Sequence, residues 1–391
     1  MVCVCLCGSV ANLIRKGIME INRTKKVSEL GQSLWLDNIQ RSELINGSLK
    51  RLVDEDGLSG VTSNPTIFMK AITGGKEYDE QIARLVTEGK TAIESYDRLT
   101  IADIRQACGI MAEVFDRTGG NDGFVSIELD PRIAYDTDKS VDEARRLFSE
   151  IDSQNMMVKV PGTPEGLPVI RKLTSEGFNV NVTLLFSPKQ YENAAMAYIE
   201  GLEERAEQGK DLSEINSVAS FFVSRIDTKV DKKIDALMEM ASDSGVREKI
   251  KDLRGKAAIN VAKVTYGKFK DLFLSSSFEN LKAKGAKVQR TLWASTGAKD
   301  PTYSDVKYVD SLIGPYTVNT LPPATLDAFR DHGIVSSTLE EDMDKSAGIL
   351  EKIVAMGIDL DGIYQELLDE GVKAFEKSYL DLIAVLEKRI K

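Results

Sequence analysis

A chain of 391 residues with 42% hydrophobic content is long enough to bury a large core, as one big α/β domain or two ordinary ones, and nothing in it reads as fibrous or disordered. Its 51 basic and 61 acidic residues leave a formal charge of -10 without long single-sign blocks, which argues against a nucleic-acid or anionic-membrane partner. With only Cys3, Cys5, Cys7, Cys108 and one histidine, His332, no zinc site of usual spacing can be drawn, and no cysteine pair in the main body suits a disulfide. A reducing, cytoplasm-like compartment fits, and the chemistry must rest on Lys, Asp, Glu and hydroxyl groups. His332, in the polar, loop-like context "FRDHGIV", would have to serve any His-based triad alone.

Residues 1–26 differ from the rest, with an apolar, Cys-rich start followed by Arg15, Lys16, Arg23, Lys25 and Lys26. The charge order is the reverse of a secretory signal, an organelle address is a minor alternative, and Met19 is a second candidate start. The segment is expected to be an extension outside the fold, leaving 27–391 as one domain. No later stretch approaches the roughly 18 apolar residues of a membrane span.

Eight strand-like runs follow: "QSLWLDN" at 32–38, "SGVTSNPT" at 59–66, "GFVSIELDP" at 123–131, "NMMVKVPGT" at 155–163, "GFNVNVTLLFS" at 177–187, "INSVASFFVSR" at 215–225, "VQRTLWAST" at 288–296 and "YTVNTLP" at 316–322. Helical patterns separate them. Ser140 with Glu143 reads as a capping box opening "SVDEARRLFSEI", Ser187 and Pro188 cap and start the next long helix but one, and Gly177 ends the helix before it. Eight β units alternating with helices predict a (β/α)8 TIM barrel, with additional helical insertions before the third and seventh strands and a helical C-terminus from about Ser336. A doubly wound open sheet is the alternative, but the first βα turn has no GxGxxG fingerprint. Two other motifs fail: "EGKT" at 88–91 has Arg84 where a phosphate loop needs its first glycine, and "DLDG" at 359–362 lacks the glutamate of a calcium loop. Both read as loop and helix-start sequence.

One lysine is out of place. Met156, Met157, Val158 and Val160 form an apolar run closed by Pro161 and Gly162, the pattern of a strand buried on both faces, and Lys159 sits inside it. A poorly solvated lysine is a potential amine nucleophile toward carbonyls, although a snorkelling or ion-paired lysine gives the same pattern. In a barrel the reacting groups sit at the C-terminal ends of the strands. Those ends carry Asp37, Asn64, Glu128, Lys159, Asn181 with Thr183, Ser220 and Ser295. Singly, each suits a cap or loop hydrogen bond; together around a lysine they point to Schiff-base chemistry.

The stretches "GVTSNPTIF", "MVKVPGTPEGLPVIRKLTSEGFNVNVTLLFS", "SFFVSRID" and "LWASTG" resemble the transaldolase family, in its longer subfamily, and the likeness runs over roughly Val27 to Lys391. The resemblance implies a (β/α)8 barrel that transfers a dihydroxyacetone unit between sugar phosphates in the non-oxidative pentose phosphate pathway. Sedoheptulose 7-phosphate or fructose 6-phosphate would be the donor, and glyceraldehyde 3-phosphate or erythrose 4-phosphate the acceptor, with no cofactor and no metal. It implies Lys159 as the Schiff-base lysine, Glu128 as the carboxylate moving protons through a water that Thr183 helps hold, and Asp37 as the acid/base at the C4 hydroxyl. Asn64, Asn181 and Ser220 would hold substrate hydroxyls and the enamine, Arg225 the phosphate, and Ser295 a further hydroxyl contact. Better-known relatives have a second arginine two residues beyond that serine; here Gly297 stands there, and Lys299 is the nearest replacement cation. Phe222 walls the site or simply packs the core.

Two rivals stay open: a fructose-6-phosphate aldolase-like lyase releasing free dihydroxyacetone, and an inactive sugar-phosphate-binding barrel. Glu128, where a neutral residue is expected in the lyase branch, and the long chain favour the transferase. The expected partners are small-molecule sugar phosphates, not nucleic acid or membrane. Helices such as "EGLEERAEQGK" suit solvent and an interface equally, so monomer and homodimer are both allowed.

Overall fold

The computed structural model describes residues 22–390, so the targeting question, Met19 and the three N-terminal cysteines lie outside the described residues. Eight parallel strands close into a barrel in sequence order: β1 (Gln32–Leu36), β2 (Gly60–Thr62), β3 (Phe124–Glu128), β4 (Met156–Pro161), β5 (Val180–Leu185), β6 (Ser217–Phe222), β7 (Gln289–Ala294) and β8 (Thr317–Leu321), with β8 paired back to β1. Each falls inside one of the eight predicted runs. Helices cover the outer face of the sheet while side chains fill its interior, so most strand positions are buried. The helical insertions also lie where expected: three helices between 65 and 117 precede β3, and four between 224 and 282 precede β7.

Local chemistry sets the helix ends. Asn64 caps Pro65–Gly74 by accepting from the Ile67 amide (3.0 Å), and Ser187 caps Pro188–Glu207 by accepting from the Gln190 amide (3.1 Å). Gly177 ends Gly166–Glu176 at a φ of 100°, a backbone state that costs glycine little. "EGKT" and "DLDG" are helix starts: Thr91 and Glu94 form a capping box, and Asp359 accepts from the Gly362 amide.

Four expectations need correction. The helix Thr137–Ile151 starts a turn before Ser140, because Asp136 supplies the cap by accepting from the Lys139 amide; the Ser140 hydroxyl instead donates to the Ile133 carbonyl. Residues 23–26 are not outside the fold. They open the helix Arg23–Glu29, capped by Asn22 and seated through buried Thr24 and Val27. His332 is no loop residue: it ends the helix Pro323–His332, exposed, with Nε2 2.8 Å from Asp305 Oδ1. The C-terminal helices are Met343–Ala355 and Leu360–Ile390, later than Ser336.

The N-terminal mouth of the barrel is plugged. Asp122 accepts from the Trp35 indole (3.0 Å), from Ser33 Oγ (2.5 Å) and from Arg290 (3.0 Å), which also donates to Ser33. Trp35 reaches this point because its register partner across the β1–β2 pair is Gly60; a Cβ there would come within 2.4 Å of the indole ring. The opposite mouth is left for chemistry.

Candidate active site

The register of the barrel decides which polar residues meet. Glu128 pairs with Lys159, and Lys159 with Asn181, so three neighbouring strands present an acid, an amine and an amide at one level. Lys159 is 4% exposed. Its Nζ donates to the Ser63 carbonyl (3.1 Å) and lies 3.0 Å from Glu128 Oε2. Apart from this charge contact, Glu128 Oε2 has no polar partner among the described residues. The lysine is therefore buried and ion-paired, not snorkelling. Ser63 is itself fixed, its hydroxyl donating to the Ser126 carbonyl at 2.8 Å.

Asp37 follows β1 directly and accepts from Thr62 Oγ1 at 2.7 Å, while Thr62 and Thr320 share a second 2.7 Å contact. Burial pushes the Asp37 carboxyl above its ordinary range, a trend that the charge of Lys159, the Thr62 hydrogen bond, and the charges of Arg225 and Lys299 oppose. Burial likewise raises Glu128, with Lys159 pulling down and the Asp37 charge pushing up. Two carboxyls held above the usual carboxylate range beside an amine suit proton transfer.

A cavity of about 160 Å³ opens at this mouth, lined by Asp37, Asn64, Lys159, Ser220, Phe222, Arg225, Ser295 and Lys299 among the predicted residues. Asn181 and Thr183 are fully buried and do not line it. Asn181 is turned to its neighbours and not to the cavity: its Oδ1 accepts from Ser220 Oγ (2.7 Å) and its Nδ2 donates to Ser126 Oγ (3.1 Å). Thr183 Oγ1, like Glu128 Oε2, has no hydrogen-bond partner among the described residues. Phe222 does wall the cavity, with the Arg225 guanidinium carbon 5.2 Å from its ring centroid. Arg225 occupies the first turn of the helix Ser224–Met240, and burial draws its pKa down, with the Asp37 and Glu370 charges opposing. Ser295, just beyond β7, holds a left-handed φ of 55°, fixed by the Ser224 amide donating to its carbonyl (3.0 Å) and by a 3.1 Å hydroxyl contact. Gly297 also lines the cavity, so the place of the family's second arginine is a bare backbone while Lys299 supplies the cation at the rim.

Sequence reasoning missed Thr62, Thr320, the Ser63 carbonyl and Phe375. Thr62 had a signal, since Gly60, Thr62 and Asn64 alternate onto one face. Phe375 arrives from the C-terminal helix and carries no local mark.

A family model described as Transaldolase/Fructose-6-phosphate aldolase matches residues 34–386. A transaldolase of Trichodesmium erythraeum (strain IMS101) is 46% identical over 375 residues, covering 95% of this chain and 99% of its own length. One from Thiobacillus denitrificans (strain ATCC 25259 / T1) is 48% identical over 364 residues, 93% of this chain and 99% of its own. A "Transaldolase 2" of Streptomyces coelicolor is 44% identical over 368 residues, 94% and 97%. A match of this extent leaves no room for a partial or chance likeness: the chain belongs to the transaldolase/fructose-6-phosphate aldolase family.

Proposed function

We propose that the protein is a transaldolase that moves a dihydroxyacetone unit from sedoheptulose 7-phosphate or fructose 6-phosphate to glyceraldehyde 3-phosphate or erythrose 4-phosphate through a Schiff base on Lys159. The observation that carries the reading is a buried amine 3.0 Å from Glu128 Oε2, on the wall of a polar cavity that also holds Asp37 and Arg225. Glu128 takes the excess proton of Lys159, and the free amine attacks C2 of the ketose. Loss of water from the carbinolamine, with Glu128 moving protons through a water held with Thr183, gives an iminium. Asp37 then takes the proton of the C4 hydroxyl, the C3–C4 bond breaks, and its electron pair enters the enamine. The first aldose leaves and the acceptor aldehyde reverses the sequence. Asn64, Ser220 and Ser295 hold hydroxyl groups, Asn181 positions the Ser220 hydroxyl from beneath the cavity, Phe222 walls the sugar, and Arg225 with Lys299 binds phosphate. A reducing, cytoplasm-like setting and a monomer or homodimer complete the proposal, and no helix among the described residues is long and apolar enough to cross a membrane.

The test is trapping. Borohydride reduction in the presence of fructose 6-phosphate should leave a three-carbon adduct on Lys159 in a peptide map, and a coupled assay should show sedoheptulose 7-phosphate forming only when erythrose 4-phosphate is added. An unmodified Lys159 in folded protein would refute the Schiff base. Free dihydroxyacetone as the main product would favour a lyase.

A further inference from the structure

The helix Leu360–Ile390 reaches the active-site mouth through one close approach. A Cβ on Gly371 would come 2.8 Å from Leu184 Cδ2, so the helix lies directly on that side chain of β5. Leu184 holds a left-handed φ of 61° where the β5–β6 register shifts, a backbone state a leucine keeps only when its surroundings impose it. One turn further along the same helical face is Phe375, which is 6% exposed. Phe375 lines the catalytic cavity and also a narrow crevice behind Glu128, whose walls include Pro161, Leu184 and Val372. That crevice has room for about one water molecule. The helix is held on either side of it. Arg132 lies 4.8 Å from the Tyr379 ring centroid, and Lys229 bridges Glu366 and Glu370 at 2.7 and 2.6 Å.

We infer that Phe375 keeps bulk water from the Glu128 side of the enamine and thereby sets the ratio of acceptor transfer to release of free dihydroxyacetone. The inference rests on the transaldolase reading. After the C3–C4 bond breaks, the enamine has two fates. In transfer, C3 attacks the acceptor carbonyl carbon and the carbonyl oxygen takes the proton held by Asp37. In release, C3 takes a proton instead and restores the iminium; water adds to C2, and expulsion of the Lys159 amine leaves dihydroxyacetone. Hydrolysis of the resulting iminium by one water at C2 is common to both routes, so they part only at C3, where release needs one proton, and neither involves an oxidant or reductant. Water that reaches C3 delivers that proton, and an aromatic ring that lines both the Glu128 crevice and the open cavity is a barrier with no proton or lone pair to offer.

The experiment measures sedoheptulose 7-phosphate and free dihydroxyacetone in the same reaction, with fructose 6-phosphate as donor and erythrose 4-phosphate as acceptor, for the wild type, Phe375→Ala and Phe375→Leu. The ratio is internal to each sample, so a loss of folded enzyme cancels. Free product relative to transfer should rise about tenfold in Phe375→Ala and by less in Phe375→Leu, with the borohydride adduct still on Lys159. If the alanine variant does not fold, the near-isosteric leucine variant decides alone: a ratio above wild type supports the inference. A wild-type ratio in whichever variant folds overturns it, whatever the total activity. A wild-type enzyme that forms no transfer product would sink the transaldolase reading itself, a failure distinct from that of Phe375.

Discussion

Lys159 shows how much one residue's placement decides. Its Nζ has a carbonyl oxygen at 3.1 Å and a carboxylate oxygen, the nearest proton acceptor, at 3.0 Å. Lys159→Met should reduce transfer below about 10⁻⁴ of wild type, measured by single-turnover product formation, since the other lysine lining the cavity among the described residues, Lys299, is exposed and not buried beside Glu128. Asp37 adds a pH signature. Its carboxyl is raised by burial, so on folding the charged form loses hydration that it keeps in the unfolded chain. Stability therefore falls as pH rises from the ordinary aspartate pKa of about 3.9 up to the raised folded value, and stays lower above it. Asp37→Asn, neutral throughout, should melt at a higher temperature than wild type at pH 7, with the gain vanishing below about pH 3.9. The same variant should lose about 10²–10⁴-fold in kcat. A thermal-shift series against pH, run beside the kinetics, checks both halves, and a stability gain independent of pH would contradict the burial argument.

Among the elements, the β1–β2 pair and the loop after β7 carry the sharpest consequences. Gly60 exists to admit the Trp35 ring, whose indole reaches Asp122 at the closed end of the barrel. Gly60→Ala should cost about 1–3 kcal/mol by overpacking, read as a lower urea midpoint at unchanged slope. The loop after β7 explains how a lysine can stand in for an arginine. Asp300, beside Lys299, is held by Arg254 (2.6 Å), which also donates to Tyr303 and Asp235 (2.9 Å each). An exposed lysine on an anchored loop can address a phosphate at the rim. Lys299→Ala should raise KM for glyceraldehyde 3-phosphate roughly tenfold while leaving unphosphorylated glyceraldehyde unaffected. Equal effects on both acceptors would remove Lys299 from the phosphate site.

At the scale of the molecule, the helix Leu360–Ile390 is part of the core and not an appendage. It buries Tyr364, Leu367, Leu368, Phe375, Tyr379, Leu382 and Leu386 among others. At about 1.5–3 kcal/mol for each large apolar side chain, their loss is as large as the roughly 5–15 kcal/mol by which a domain is stable. A chain ending at Asp359 should therefore show no cooperative melting transition by calorimetry.

The same three scales separate what could be read along the chain from what could not. The eight strands, the Ser187 cap and the Gly177 stop were legible because a buried parallel strand, an N-cap and a left-handed C-cap are local events, each governed by a few adjacent residues. The polar strand ends were legible too, once a barrel was expected, because its chemistry collects at one mouth. Ser140 misled for a local reason, as Asp136 competes for the same cap one turn earlier. The 3.0 Å approach of Glu128 to Lys159, the Ser63 carbonyl on the amine, and Phe375 over the site depend on register between strands and on the docking of a distant helix. Side-chain periodicity says which face a residue occupies, but only closure of the barrel brings two such faces to one point, and that is a property of the packed chain.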